Sequence, residues 1–157
     1  MMRSRLRFAV RGIVLGALVA VPVFADAPKG QYPNFTGQDQ RIRDLKTGLV
    51  WERSVSPAPV TFATAEAGCT GGTRLPTLKE LLTLVDEEPD DYYDLNLNRT
   101  VLRFIDAQAF GQTPVDKGYW TASRDGTSVW TVDFATAETR TAEVGDTRYV
   151  RCVRFVP

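Results

Sequence analysis

The residues with the most chemical potential in this sequence are two cysteines, a group of arginines near the C-terminus and an acidic run. The run comprises Asp86, Glu87, Glu88, Asp90, Asp91 and Asp94, and it encloses Tyr92 and Tyr93. Hard cations such as Ca²⁺ take several carboxylate and carbonyl oxygens at once, which makes Asp86, Glu88, Asp90 and Asp91 the candidate metal ligands. Their spacing matches no EF-hand. A solvated acidic loop at a helix C-terminus, with no cofactor, is the favoured reading. Arg148, Arg151 and Arg154, with Arg140 nearby, form a locally basic stretch whose guanidinium groups suit a sulfated or acidic polysaccharide. Arg151 and Arg154 are three positions apart and point to opposite faces of a strand, so ion pairing with Asp133, Glu138 and Glu143 is favoured.

Trp51, Trp120 and Trp130 raise the prospect of a flat platform for sugar stacking. Period-two alternation puts Trp130 on a core face with Val132 and Phe134, and a core role is favoured for all three tryptophans. Trp120 is nonetheless kept with Tyr92, Tyr93, Arg148 and Arg151 as a candidate ligand contact. The absence of histidine excludes Ser-His-Asp and Cys-His nucleophiles and His-ligated zinc. Formal charge is zero, from 19 basic and 19 acidic side chains, and no basic block is present; a nucleic-acid partner is not expected.

That zero conceals two unlike parts. Arg3, Arg5, Arg7 and Arg11 lead an apolar stretch from Ile13 to Phe24, ending at Ala25. The pattern is that of a signal peptide over residues 1–25, cleaved after Ala25. The apolar run, about 12 residues, is short of the about 20 that a membrane span needs, although an uncleaved anchor is the alternative. Cleavage removes four arginines and no acid, leaving 15 basic against 19 acidic side chains and no membrane span. The mature domain is acidic.

Export to the periplasm or the cell exterior decides the cysteines. In an oxidising compartment Cys69 and Cys152 pair, tying the middle of the chain to its last strand. A redox-active or lipidated thiol is the competing account, but no cysteine lies at the cleavage point and no C-x-x-C is present. Closing a loop of about 80 residues stabilises by about 4 kcal/mol in the chain-entropy model.

Elements that would position these residues follow from local pattern. Residues 26–40 are rich in Pro, Gly, Gln and Asn and read as a flexible entry segment; residues 41–157 form the domain. A Lys46-Thr47-Gly48 turn feeds a strand through Trp51, and Phe62–Ala67 is a short helix ending at Gly68. Thr77-Leu78-Lys79-Glu80 matches a capping box, and Leu78, Leu81, Leu82 and Val85 make one apolar stripe, so a helix is expected from Leu78 to Asp86. A further helical patch is expected over Arg99–Phe110. The last third is β: strands around Tyr119–Ala122, Val129–Phe134 and Thr139–Val144, with Tyr149–Phe155 closing the same sheet.

Six landmarks occur in one order: Thr47-Gly48-Leu49-Val50-Trp51, Ala65 to Cys69, Arg74-Leu75-Pro76-Thr77-Leu78-Lys79-Glu80-Leu81, Tyr119-Trp120-Thr121-Ala122-Ser123, Trp130-Thr131-Val132-Asp133-Phe134 and Tyr149-Val150-Arg151-Cys152-Val153-Arg154. This order resembles the Lcl C-terminal domain family of bacterial exported proteins, over about Arg41 to Arg154. That family is similar to the C-type-lectin-like superfamily, which also contains formylglycine-generating enzymes with the same R-L-P-T-x-x-E helix start. The resemblance implies an α+β, C-type-lectin-like fold, with two or three short helices around a twisted antiparallel sheet and long loops. It also implies pairing of a cysteine upstream of R-L-P-T with one in the terminal strand, structural roles for Arg74 and Glu80, and a glycine in the hairpin where this chain has Ala135-Thr136-Ala137-Glu138. The chain between Val85 and Tyr119 is longer than the family's usual pattern.

The expected function is therefore an exported, non-catalytic binding module for a carbohydrate, a cell-surface polymer or a cell-envelope protein. The family's namesake adhesin binds glycosaminoglycan, a ligand that the acidic mature charge argues against here. Two alternatives stand beside it: a purely structural envelope domain, and an oxidase like the formylglycine-generating enzymes. The oxidase needs a free cysteine pair, which a disulfide removes.

Overall fold

The computed structural model describes residues 30–33 and 40–156. The expected leader and most of the entry segment lie outside the described residues. Ten short elements follow in chain order: β1 (Arg41–Arg43), β2 (Leu49–Glu52), α1 (Phe62–Gly68), α2 (Leu78–Leu82), β3 (Asp90–Asp94), β4 (Arg99–Arg103), β5 (Tyr119–Asp125), β6 (Ser128–Asp133), β7 (Glu138–Glu143) and β8 (Val153–Phe155). They make an α+β domain of three small antiparallel sheets, ordered β1-β2-β8, β3-β4 and β5-β6-β7.

Local chemistry explains the entries to these elements. Buried Asp44 accepts hydrogen bonds from the Lys46 and Thr47 amides and the Thr47 hydroxyl, and Gly48 takes φ +74° to turn the chain into β2. Thr61 precedes α1 without a side-chain cap; the Phe62 amide donates instead to the Val144 carbonyl. The capping box of α2 forms as its sequence demands, with Thr77 Oγ1 accepting from the Glu80 amide and Glu80 Oε2 accepting from the Thr77 amide. The Arg74 guanidinium grips the same carboxylate at 2.6 and 2.7 Å and holds it below the usual carboxylate range. Arg74 and Glu80 are structural, joining the start of α2 to the strand-like contact of Arg74 with Val153.

Helix α2 ends at Leu82, not Asp86. Beyond it the amides of Thr83, Leu84 and Val85 bond to carbonyls three residues back, and the Thr83 hydroxyl also donates to the Glu80 carbonyl. At three residues per turn Leu84 falls beneath Leu81, and these two, rather than Leu82, are the buried leucines.

The expected helix over Arg99–Phe110 is replaced by strand β4, whose Thr100 and Val101 are β-branched, followed by one tight turn. Asp106 caps that turn by accepting from the Gln108 and Ala109 amides, which delivers Ala109 and Phe110 to the core. The acidic run is likewise not a loop throughout. Its second half is β3, paired residue by residue with β4.

The sheet β5-β6-β7 is covered on both faces, so β6 separates two apolar clusters. Tyr119, Val132 and Phe134 pack with Trp51, Leu81, Leu84 and Phe110 on one side. Trp120, Val129 and Ala142 pack with Phe62, Ala65 and Leu75 on the other. Trp130 is half-buried rather than central, although it shares a face of β6 with buried Val132. Residues 149–155 do not close this sheet. Tyr149 makes one bridge to Tyr119, and β8 pairs with β2 instead. In the β6–β7 turn, Ala137 sits at φ +57°, the position where glycine was expected.

The Cys69–Cys152 disulfide joins the C-terminal end of α1 to the approach to β8, with Cα atoms 5.6 Å apart across 83 residues of sequence. Both cysteines lean on the second apolar cluster. Replacing both by serine is expected to lower unfolding free energy by about 4 kcal/mol, read from urea denaturation of the oxidised parent and the double variant. A change below 1 kcal/mol would show that the bridge constrains little.

Candidate functional site

Between β4 and β5 the chain forms no strand, and among the described residues its backbone bonds to backbone elsewhere in the chain only near its ends, at Phe104 and Gly118. Three arginines hold it, two by donating to its carbonyl oxygens and the third through a threonine hydroxyl. Arg53 Nε donates to the Ala109 carbonyl at 3.1 Å, and Arg103 Nη1 donates to that of Gly111 at 2.7 Å. Arg151 is the third and reaches deepest. It is 0% exposed, donates to the Glu52 and Arg53 carbonyls at 2.8 and 2.7 Å, and reaches Thr113 Oγ1 at 2.8 Å. The Phe110 ring lies 4.8 Å from its guanidinium carbon. Burial pulls its pKa down to about 10, still far above neutral pH, so the group keeps its charge.

Arg151 thereby joins the segment after β2 to the segment before β5, and between those segments an open groove of about 650 Å³ runs along β3. Ser54–Pro57 form one wall, Tyr92–Asn96 the other, and Gly111, Gln112 and Pro114 the floor. Asp94 contributes the groove's one carboxylate among these residues. That carboxylate is buried and already accepts from the Asn96, Leu97 and Val115 amides. The remaining lining is hydroxyl, amide, aromatic and aliphatic. At the rim Tyr93 is 52% exposed and donates its hydroxyl to Asn98 Oδ1, and Leu95 is 83% exposed. A second hollow of about 310 Å³ lies on the other side of Ser54–Pro57, under α1 and beside Cys152.

The sequence-derived candidates divide sharply. Tyr92 and Tyr93 both line the groove; Tyr92 is half-buried under the Arg103 guanidinium, 4.4 Å from its ring centre. Trp120 is 0% exposed, edge-on to Phe62, and donates its indole N–H to the Val60 carbonyl, so it presents no face to a ligand. Arg151 is interior. Arg148 lies apart from the groove, pairs with Asp146 at 3.4 Å and stands over the Trp120 ring. Of the ion pairs expected for the arginines, Arg140 with Glu138 forms.

The four acids considered for calcium also separate. Asp86 accepts from the Glu88 amide, and Asp90 pairs with Arg103 at 2.7 Å. Asp91 points to the opposite face of β3 from Asp90. Among the described residues no three carboxylates come together as a metal-binding group. The groove residues that the sequence did not mark are Ser54–Pro57, Leu95, Asn96, Gly111, Gln112 and Pro114. Their only signal was the Pro and Gly punctuation around them.

These features define a disulfide-tied α+β domain whose irregular segments frame one groove. The chain belongs to the Lcl C-terminal domain family, whose model matches residues 40–154. Comparison with curated proteins and with solved structures found no match.

Replacing Arg151 by methionine is expected to destabilise the fold by about 3 kcal/mol, because it leaves two carbonyls and a hydroxyl buried without their donor. Hydrogen exchange of the variant should speed up in residues 52–57 and 110–115 before it does in β6. Equal stability and unchanged exchange would contradict this role.

Proposed function

We propose that this chain is an exported, non-catalytic binding module with a C-type-lectin-like fold, and that the groove beside β3 takes its ligand. One observation carries the reading: a concave surface, uncharged apart from an engaged carboxylate, with tyrosine and leucine exposed at its rim. Such a surface suits a carbohydrate, a cell-surface polymer or a segment of an envelope protein. Flat aromatic and amide groups contact each of these without needing opposite charge.

The disulfide supports export, and it leaves neither cysteine free for an oxidase of the formylglycine-generating kind. Two short helices beside small antiparallel sheets, with long irregular segments, support the lectin-like assignment. Helices of the described residues are all too short and polar to cross a membrane.

Arrays of immobilised oligosaccharides and of random-sequence peptides, probed with the exported protein, test the reading. Binding by at least one class is expected, reduced at least tenfold in Tyr93→Ala and unchanged by calcium chelation. Absence of binding on both arrays, or binding indifferent to Tyr93→Ala, would favour a domain that only packs against its neighbours.

A further inference from the structure

The groove has an uncommon wall. Tyr92 faces the body of the domain and Tyr93 faces solvent, yet both border the same groove, so β3 turns its edge toward it. That edge is open. β3 belongs to a two-stranded sheet, and among the described residues no backbone group pairs with it on the side away from β4. Exposed edges are usually blunted by charge. The outer strand β7 follows this rule, with Glu138, Arg140 and Glu143 along it. On the solvent-facing row of β3 only Asp91 is charged; Tyr93 follows it, and Leu95 continues the row into the turn, all three exposed.

We infer that the occupant of the groove is an extended peptide segment of a partner protein, added as a third strand to β3 and β4. This rests on the proposal that the groove is the binding site, and it names the ligand class. Unpaired amide and carbonyl groups along an edge are satisfied by another backbone, which supplies both donors and acceptors at strand spacing. A carbohydrate offers hydroxyls without that repeat.

The side-chain pattern of the partner follows from the row it would lie beside. Neighbours on one face of a sheet pair by chemistry, so Asp91 calls for a lysine or arginine, and Tyr93 and Leu95 call for apolar or aromatic residues. The recognised segment therefore has a basic residue with apolar residues two and four positions away, on one side of it. The alternating residues turn toward Gly111–Pro114 and must be small. The acidic balance of the mature chain favours the same basic partner.

A phage-displayed library of random dodecapeptides, selected on the exported protein, tests this. The consensus peptide is then resynthesised with a single backbone N-methyl group at each position in turn. The expected result is the basic-and-apolar alternation, with N-methylation weakening binding at least tenfold at every second residue and less than threefold between them. Asp91→Lys should reverse the preference for the basic residue while leaving the N-methyl pattern intact. A uniform response to N-methylation would overturn strand addition. Oligosaccharide binding that is sensitive to Tyr93→Ala, with no peptide selected, would overturn the peptide inference but keep the groove as the binding site. Failure of both screens would overturn both.

Discussion

One fully enclosed cation, Arg151, organises the irregular half of this domain. The Arg151 guanidinium is enclosed completely and has no ion-pair partner among the described residues; carbonyl dipoles, a hydroxyl and an aromatic face surround it instead. An isolated charge is expensive to bury, and it is tolerated only where hydrogen-bond acceptors replace its water. Here the acceptors are the Glu52 carbonyl at the end of β2, the Arg53 carbonyl just beyond it and the Thr113 hydroxyl. The cost of burial and the cost of leaving those acceptors unpaired offset one another. Arg53 and Arg103 donate to the Ala109 and Gly111 carbonyls, so three arginines hold the middle of the segment between β4 and β5.

The position of Arg151 couples this device to the disulfide. Cys152, its neighbour, is tied to the end of α1, while Val150 before it packs in the second apolar cluster. One short stretch of chain therefore contacts α1, the exit of β2 and the floor of the groove. The two-sided sheet β5-β6-β7 supplies the rigid body against which the stretch is held. The groove is a consequence: its two walls and its floor come from separate sheets and loops, and the tie beneath sets their separation.

Legibility in the sequence followed the range of the physics. The capping box at Thr77 and Glu80, the Gly48 turn, the strand through Trp51 and the cysteine pairing were all readable, because each depends on neighbouring residue types or on a count of two. Arg99–Phe110 was misread because Val101, Ile105 and Ala109 fit a helical face, while the pairing of Arg99–Arg103 with β3 is a tertiary choice. The closing strand was assigned to the wrong sheet for the same reason, since alternation gives strand character but not partner. Of the residues read as ligand contacts, Tyr92 and Tyr93 lie on the groove while Trp120 and Arg151 lie in the interior, because residue type alone does not distinguish an exposed aromatic or cation from a satisfied buried one. Ser54–Pro57 and Gln112 carry no periodicity and become a site only when the chain has folded.

Solution NMR of the Arg151 side chain in the unaltered protein tests the central claim most directly. A guanidinium locked onto the Glu52 and Arg53 carbonyls and Thr113 should show separate Nη–H resonances that exchange slowly with water at pH 7. A single averaged signal with rapid exchange, like that of an exposed arginine such as Arg140, would contradict the account.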